Sequence, residues 1–283
     1  MWGNRMLIYD YIFAREPGKL MHLLMDKKNH SESYYRWRDS AKARLLSTPC
    51  EEFSLNGWKG YYFQAGKTPS KTIAFIVHGY RSEHAETAGI WLDTYRKRGI
   101  DIFCPDNPAA GNSVGDHIGY GVSESAAVIS WIEFLLAHFG KEIRIFLHGF
   151  SLGGATVMSL SDRCPENVKF IIDDCGFTSA RELLAPRLGI LYNPLCLLNR
   201  KKTGVDLKET DVRPHLRRSS LPLLFVHGRK DPTVPFRMGL ELYMNYRGEK
   251  DCLFLDDARH MECYYTDPKA YDAKIDKFLK NYC

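Results

Sequence analysis

The stretch that most constrains this chain is His148-Gly149-Phe150-Ser151-Leu152-Gly153-Gly154-Ala155. An apolar, β-rich run, Ile143-Arg144-Ile145-Phe146-Leu147, leads into it, and a helix-like run, Ala155-Thr156-Val157-Met158-Ser159-Leu160, leaves it. A strand, a sharp turn carrying Gly-x-Ser-x-Gly, then a helix is the pattern of a nucleophile elbow. Ser151 then sits in a strained turn with its hydroxyl above the sheet edge. A side chain at 149 or 153 would collide with the neighbouring strand or helix, so glycine is required at both. The Leu152 N–H opens the helix without an intrahelical partner and points where an oxyanion can form. Gly-x-Ser-x-Gly alone is common; the flanking strand and helix give it weight.

The rest of the chain repeats that alternation. Nearly continuous apolar runs at 72–77, 100–104, 168–173, 223–227 and 252–255 read as strands covered on both faces. Between them, 86–98, 236–246 and 269–280 read as helices, the first stopped by Gly99. Ser123 is the expected cap of a helix carrying Val128, Ile129, Ile132, Leu135, Leu136 and Phe139 at helical spacing, ending at Gly140. Ser179-Ala180-Arg181-Glu182 has the capping-box form and starts another. Residues 52–63 read as a hairpin turning at Asn56-Gly57. The expected fold is α/β, a doubly wound, mostly parallel sheet with its ligand site on the rim where the strands end.

Its 283 residues suit one such domain, 49–283, with a cap insertion at about 183–220. That insertion reads as irregular, with apolar clusters beside basic ones. Residues 1–48 read as a segment, helical and aromatic over 34–46, packed outside the sheet or over its edge, with no visible chemistry. The net charge of +5 is spread over short groups, Lys27-Lys28, Arg96-Lys97-Arg98, Arg200-Lys201-Lys202 and Arg217-Arg218, which argues against nucleic-acid binding. None of the eight cysteines forms Cys-x-x-Cys or has zinc spacing, and reduced thiols are the simplest account. No stretch reaches the roughly 18 apolar residues of a membrane span. The apolar run near the N-terminus is cut by Asp10. The expected location is the cytoplasm, and the oligomeric state stays open, a homo-oligomer included.

A serine hydroxyl needs a base, and the base an orienting acid. Asp231 lies just past the 223–227 strand, and His260 just past the last one. The order Ser…Asp…His is the one that accompanies the elbow. Asp173 and Asp174 are rival acids that could instead cap the next turn. His78, His148 and His227 each end a strand before glycine and read as structural. A second oxyanion N–H is expected from Tyr80, whose ring could face substrate or pack on the cap.

Together, His78-Gly79-Tyr80, Gly149-Phe150-Ser151-Leu152-Gly153-Gly154, Asp173-Asp174-Cys175-Gly176-Phe177-Thr178-Ser179, His227-Gly228-Arg229-Lys230-Asp231-Pro232-Thr233-Val234-Pro235 and Ala258-Arg259-His260 resemble the α/β-hydrolase superfamily over about residues 50–283. More narrowly, they are similar to prolyl-oligopeptidase-like or serine-aminopeptidase-like bacterial hydrolases, a group that includes small esterases. The resemblance implies Ser151 as nucleophile, His260 as base, Asp231 as orienting acid, and oxyanion N–H groups from Leu152 and Tyr80. It implies no metal and no organic cofactor. The expected substrate is a small carboxylic ester whose pocket the insertion lines. Short peptides and thioesters are the alternatives, and a non-catalytic binding protein the alternative outside catalysis. One loop departs from the pattern. Many relatives carry Asp-x-Arg-Gly-x-Gly-x-Ser where this chain has Asp106-Asn107-Pro108-Ala109-Ala110-Gly111-Asn112-Ser113, so Gly111 and Ser113 fit while the Arg and the first Gly are absent.

Overall fold

The computed structural model describes residues 2–16 and 30–283, so the Lys27-Lys28 group lies outside the described residues. The strands are β1 (Glu51–Leu55), β2 (Trp58–Phe63), β3 (Thr72–Val77), β4 (Asp101–Pro105), β5 (Arg144–Phe150), β6 (Val168–Asp174), β7 (Leu223–Gly228) and β8 (Lys250–Leu255). They form a single sheet in the order β1-β2-β4-β3-β5-β6-β7-β8. The β1–β2 and β2–β4 pairs are antiparallel and the others parallel. Asn56 and Gly57 close the β1–β2 hairpin at φ 53° and 81°, as its tight turn requires.

Every residue of β3, β4 and β7 is buried, because helices cover both faces. One face carries α3 (His84–Arg96) and α11 (Pro268–Tyr282), which follows the short α10 (Cys263–Thr266); Trp91, Tyr95, Tyr271, Ile275 and Phe278 pack on the sheet together with Ala41 and Leu45 of α2 (Glu32–Leu46). The other carries α4 (Val122–Phe139), α5 (Leu152–Ser159) and α9 (Phe236–Asn245), with Tyr9, Ile12 and Phe13 of α1 (Trp2–Phe13) joining the same core. Each large apolar side chain so buried contributes about 1.5–3 kcal/mol. Among the described residues α4 alone has the length and mean hydropathy of a membrane span. Its Trp131, Ile132 and Leu135 are fully buried, as in a core helix.

Two local expectations are corrected. Ser123 does not cap α4: the helix begins at Val122, and the buried Glu124 carboxylate accepts the N–H groups of Gly119 and Gly121, both at 2.8 Å. The 183–220 stretch is helical rather than irregular, built from α6 (Ala180–Leu188), α7 (Tyr192–Thr203) and α8 (Arg213–Arg218) joined by short 3-10 turns. Gly189, Pro194 and Gly204 break its apolar periodicity in the sequence. Pro194 nonetheless falls in the first turn of α7, where its missing N–H has no cost. Ser179 does cap α6, accepting the Glu182 N–H at 3.2 Å.

Candidate active site

The elbow forms as its residues require. Ser151 takes φ 54°, ψ −112°, between the end of β5 and the start of α5. Such a backbone is costly for a non-glycine residue and persists only where its surroundings hold it. The Ser151 N–H donates to the Asp174 carbonyl at 2.8 Å. An added Cβ at Gly149 would overlap the Gly153 carbonyl, and one at Gly153 the Val77 carbonyl, so each glycine admits backbone where a side chain would stand.

Three strand ends bring the predicted partners to this serine. His260 Nε2 lies 2.9 Å from Ser151 Oγ, and His260 Nδ1 lies 2.7 Å from Asp231 Oδ2. With Nδ1–H donating to the carboxylate, Nε2 is the acceptor facing the serine hydroxyl. Asp231 Oδ1 accepts the N–H groups of Thr233 and Val234 at 2.7 and 2.8 Å. Burial works to raise its carboxyl, but the field of His260 and hydrogen bonds from His227 and His260 outweigh it and hold Asp231 well below the usual carboxylate range. Ser151, Asp231 and His260 are each less than a tenth exposed.

The two rival acids do other work. Asp173 Oδ1 accepts the Gly176 N–H at 3.0 Å, capping the turn after β6. Asp174 Oδ2 accepts from Tyr271 Oη at 3.0 Å. That hydroxyl is 2.9 Å from His148 Nε2, and His148 Nδ1 is 2.7 Å from Tyr95 Oη. His148 is thus a buried link between helices on one face of the sheet, as its place in the sequence suggests. His78 is structural too: its Nδ1 donates to the Gly79 carbonyl at 2.8 Å and its Nε2 accepts the Asn107 N–H at 2.9 Å. His227 does more than close its strand, since its Nε2 stands 3.4 Å from Asp231 Oδ2 and 3.0 Å from the Val234 carbonyl.

Burial raises the Asp173 carboxyl from 3.8 to about 7. A carboxyl whose pKa is higher folded than unfolded stabilises fully below the unfolded value and loses that contribution as pH rises through the folded one. The loss therefore runs from about pH 4 to about pH 7. Asp173→Asn keeps the acceptor for Gly176 and removes the charge. Thermal unfolding should show the variant gaining on the parent at pH 8, by several degrees at ~2–4 °C per kcal/mol, with little gain at pH 4. A gain independent of pH would contradict this.

The turn after β3 packs against the serine: a Cβ added at Gly79 would lie 3.5 Å from Ser151 Cβ. Tyr80 follows it. Its ring takes neither expected position cleanly, because its hydroxyl donates to the carbonyls of Tyr11 and Ile12, at the end of α1, at 2.9 and 3.0 Å. Arg81 Nη2 donates to the carbonyls of Tyr11 at 2.6 Å, Ala14 at 3.0 Å and Asp10 at 3.3 Å. Further on, the Phe13 carbonyl accepts the Ile118 N–H at 2.7 Å, and Arg15 Nη1 donates to the Ser113 carbonyl at 2.7 Å. At the other side of the site, Tyr34 Oη donates to the Met261 carbonyl at 3.3 Å, and His30 Nδ1 is 2.8 Å from Glu262 Oε1. The N-terminal segment therefore braces the loops carrying Tyr80 and His260. No pattern of side chains signals this brace, because most of the acceptors are backbone carbonyls.

The divergent 105–121 loop keeps an internal frame. Asp106 Oδ1 accepts the His84 N–H at 2.8 Å and Oδ2 the Asn112 N–H at 2.8 Å. Gly111, at φ 47°, leaves room for that carboxylate, and Ser113 Oγ donates to the Asp106 carbonyl at 2.6 Å. Arg187 Nη2 donates to the Thr233 carbonyl at 2.6 Å, tying α6 to the Asp231 loop. Tyr192 and Leu195 are buried in the core, whereas Ile190 and Leu197 face solvent rather than a pocket.

No family profile matches the chain. In sequence it is 25% identical over 232 residues to the uncharacterized protein YqkD of Bacillus subtilis, covering 79% of this chain and 75% of that one. In structure it is similar to the esterase Pf2001 of Pyrococcus furiosus, with TM-score 0.68 and 18% identity, covering 84% of this chain and 93% of the esterase. It also matches the acylaminoacyl peptidase of Pyrococcus horikoshii, with TM-score 0.62 and 14% identity, over 84% of this chain and 42% of the peptidase. The chain has the α/β-hydrolase fold.

Proposed function

On this α/β-hydrolase frame, we propose that the chain is a serine hydrolase that cleaves carboxylic esters through an acyl-enzyme. The observation that carries the proposal is the unbroken line from Asp231 Oδ2 through His260 to Ser151 Oγ, with links of 2.7 and 2.9 Å, at the carboxyl ends of three parallel strands. Ser151 attacks the ester carbonyl while His260 Nε2 takes its proton. The developing oxyanion is received by the N–H groups of Leu152 and Tyr80, an arrangement worth several kcal/mol in reactions of this class. His260 then protonates the departing alkoxide and activates water for deacylation. Asp231 fixes the tautomer and steadies the imidazolium.

Ser151 is 7% exposed, so a substrate carbonyl must enter a recess to reach it. The test is hydrolysis of p-nitrophenyl esters of increasing acyl length beside aminoacyl p-nitroanilides. Ester turnover is expected, and its dependence on acyl length sizes the recess. Turnover of anilides alone would replace the esterase reading with a peptidase.

Arg81 is a positioning residue on this reading, since it locks the turn carrying Tyr80 to the end of α1. Arg81→Ala should lower kcat/KM for p-nitrophenyl acetate ~10- to 100-fold, the scale of a small misplacement near the reacting atoms. Circular dichroism should show the fold retained. An unchanged kcat/KM would mean that the turn holds without the brace.

A further inference from the structure

Cys175 has no part in the chemistry above, yet it stands beside it. It follows Asp174 at the end of β6, is fully buried, and its N–H donates to the Val226 carbonyl at 2.8 Å. One donor atom each from Cys175, Asp231 and His260 lies within 4.8 Å of the other two. Thiolate, carboxylate and imidazole are the donor types zinc takes, and a tetrahedral site holds them about 3.5 Å apart. Ser151 Oγ, 2.9 Å from His260 Nε2, or a water, can complete the four. The neighbouring Asp174 leaves Oδ1 buried without a hydrogen-bond partner among the described residues. No sequence spacing marks this trio, because its members come from the ends of β6, β7 and β8.

We propose that Cys175, Asp231 and His260 bind a soft divalent cation, zinc or cadmium, and that the bound ion switches off the serine. On binding, Cys175 Sγ releases its proton to solvent and gives a lone pair to the metal. The His260 nitrogen that ligates must carry no proton. Whichever nitrogen it is, a bond the serine needs is lost, since Nδ1 holds Asp231 and Nε2 holds Ser151. The binding stands on the geometry alone; the inhibition also rests on the serine-hydrolase reading.

The test begins with cadmium titrated into the purified chain, followed by the ultraviolet absorption of the thiolate–cadmium bond. A stoichiometric band is expected in the parent. Cadmium affinity should fall about 100-fold or more in Cys175→Ala and in His260→Gln, since even outer-shell changes cost 10- to 100-fold. Cys263→Ser, another buried cysteine outside the trio, should keep the band. In the parent, zinc should slow phosphonate labelling of Ser151 at least ~10-fold, the lower end of that range, and a chelator should restore it. In Cys175→Ala the labelling rates with and without zinc should match. Absence of the band, or a band intact in both ligand variants, overturns the site. Should Cys175→Ala fail to fold, His260→Gln decides alone. A proper band with zinc-insensitive labelling overturns the inhibition. No labelling even without zinc would instead reject the serine reading, while the cadmium result stands on its own.

Discussion

Ser151→Ala should abolish ester hydrolysis, with kcat for p-nitrophenyl acetate falling by about five to six orders of magnitude. On the proposed mechanism, removing Oγ removes the nucleophile and leaves His260 Nε2 facing a methyl group, so no acyl-enzyme can form. The Leu152 and Tyr80 N–H groups remain, and on the same proposal they account for any residual rate above water. The backbone at 151 is already held at φ 54° by the hydrogen bond to Asp174 and by the glycines at 149 and 153, so alanine inherits the same turn. Circular dichroism should match the parent, which separates lost chemistry from lost structure. A variant that retained activity within ~10-fold would place the reaction elsewhere.

Asp231→Asn should lower kcat on the order of 10⁴-fold with little change in KM. Asn Oδ1 can still accept the N–H groups of Thr233 and Val234, so the loop keeps its shape. Its amide would face His260 Nδ1 as a donor where the carboxylate accepts. The imidazole then carries its proton on Nε2 and can no longer receive the serine's. Asp174→Asn is the control, because Asp174 is bound to Tyr271 and not to His260. Should the Asp174 variant lose activity and the Asp231 variant keep it, the acid would be misassigned.

What the sequence made legible follows from what its signals measure. β3, β5, β6 and β7 are buried on both faces, and burial on both faces writes a continuous apolar run. The elbow was legible because its glycines are dictated by backbone contact, and Asp231 and His260 because a parallel sheet delivers its strand ends to one rim. The helices α6 to α8 were hidden by Gly189, Pro194 and Gly204, which look like loop residues although helices run between them. The brace from α1 was hidden more deeply. The carbonyls of Tyr11 and Ile12 exist in any residue type, so no choice of side chain at those positions announces Tyr80 or Arg81 as partners. Glu124 took the capping role expected of Ser123 because its longer side chain reaches back to two N–H groups at once. The apposition of Cys175, Asp231 and His260 was out of reach for a related reason: three separate strand ends create it, and spacing along the chain does not.

The most direct test of the central claim is labelling of the native chain with a fluorophosphonate, followed by peptide mapping. The account predicts a single phosphonyl adduct on the peptide carrying Ser151, formed quickly in the parent and lost in His260→Ala, where the base is gone. A parent that gives no adduct, or an adduct on a different residue, would contradict the assignment of Ser151 as the nucleophile.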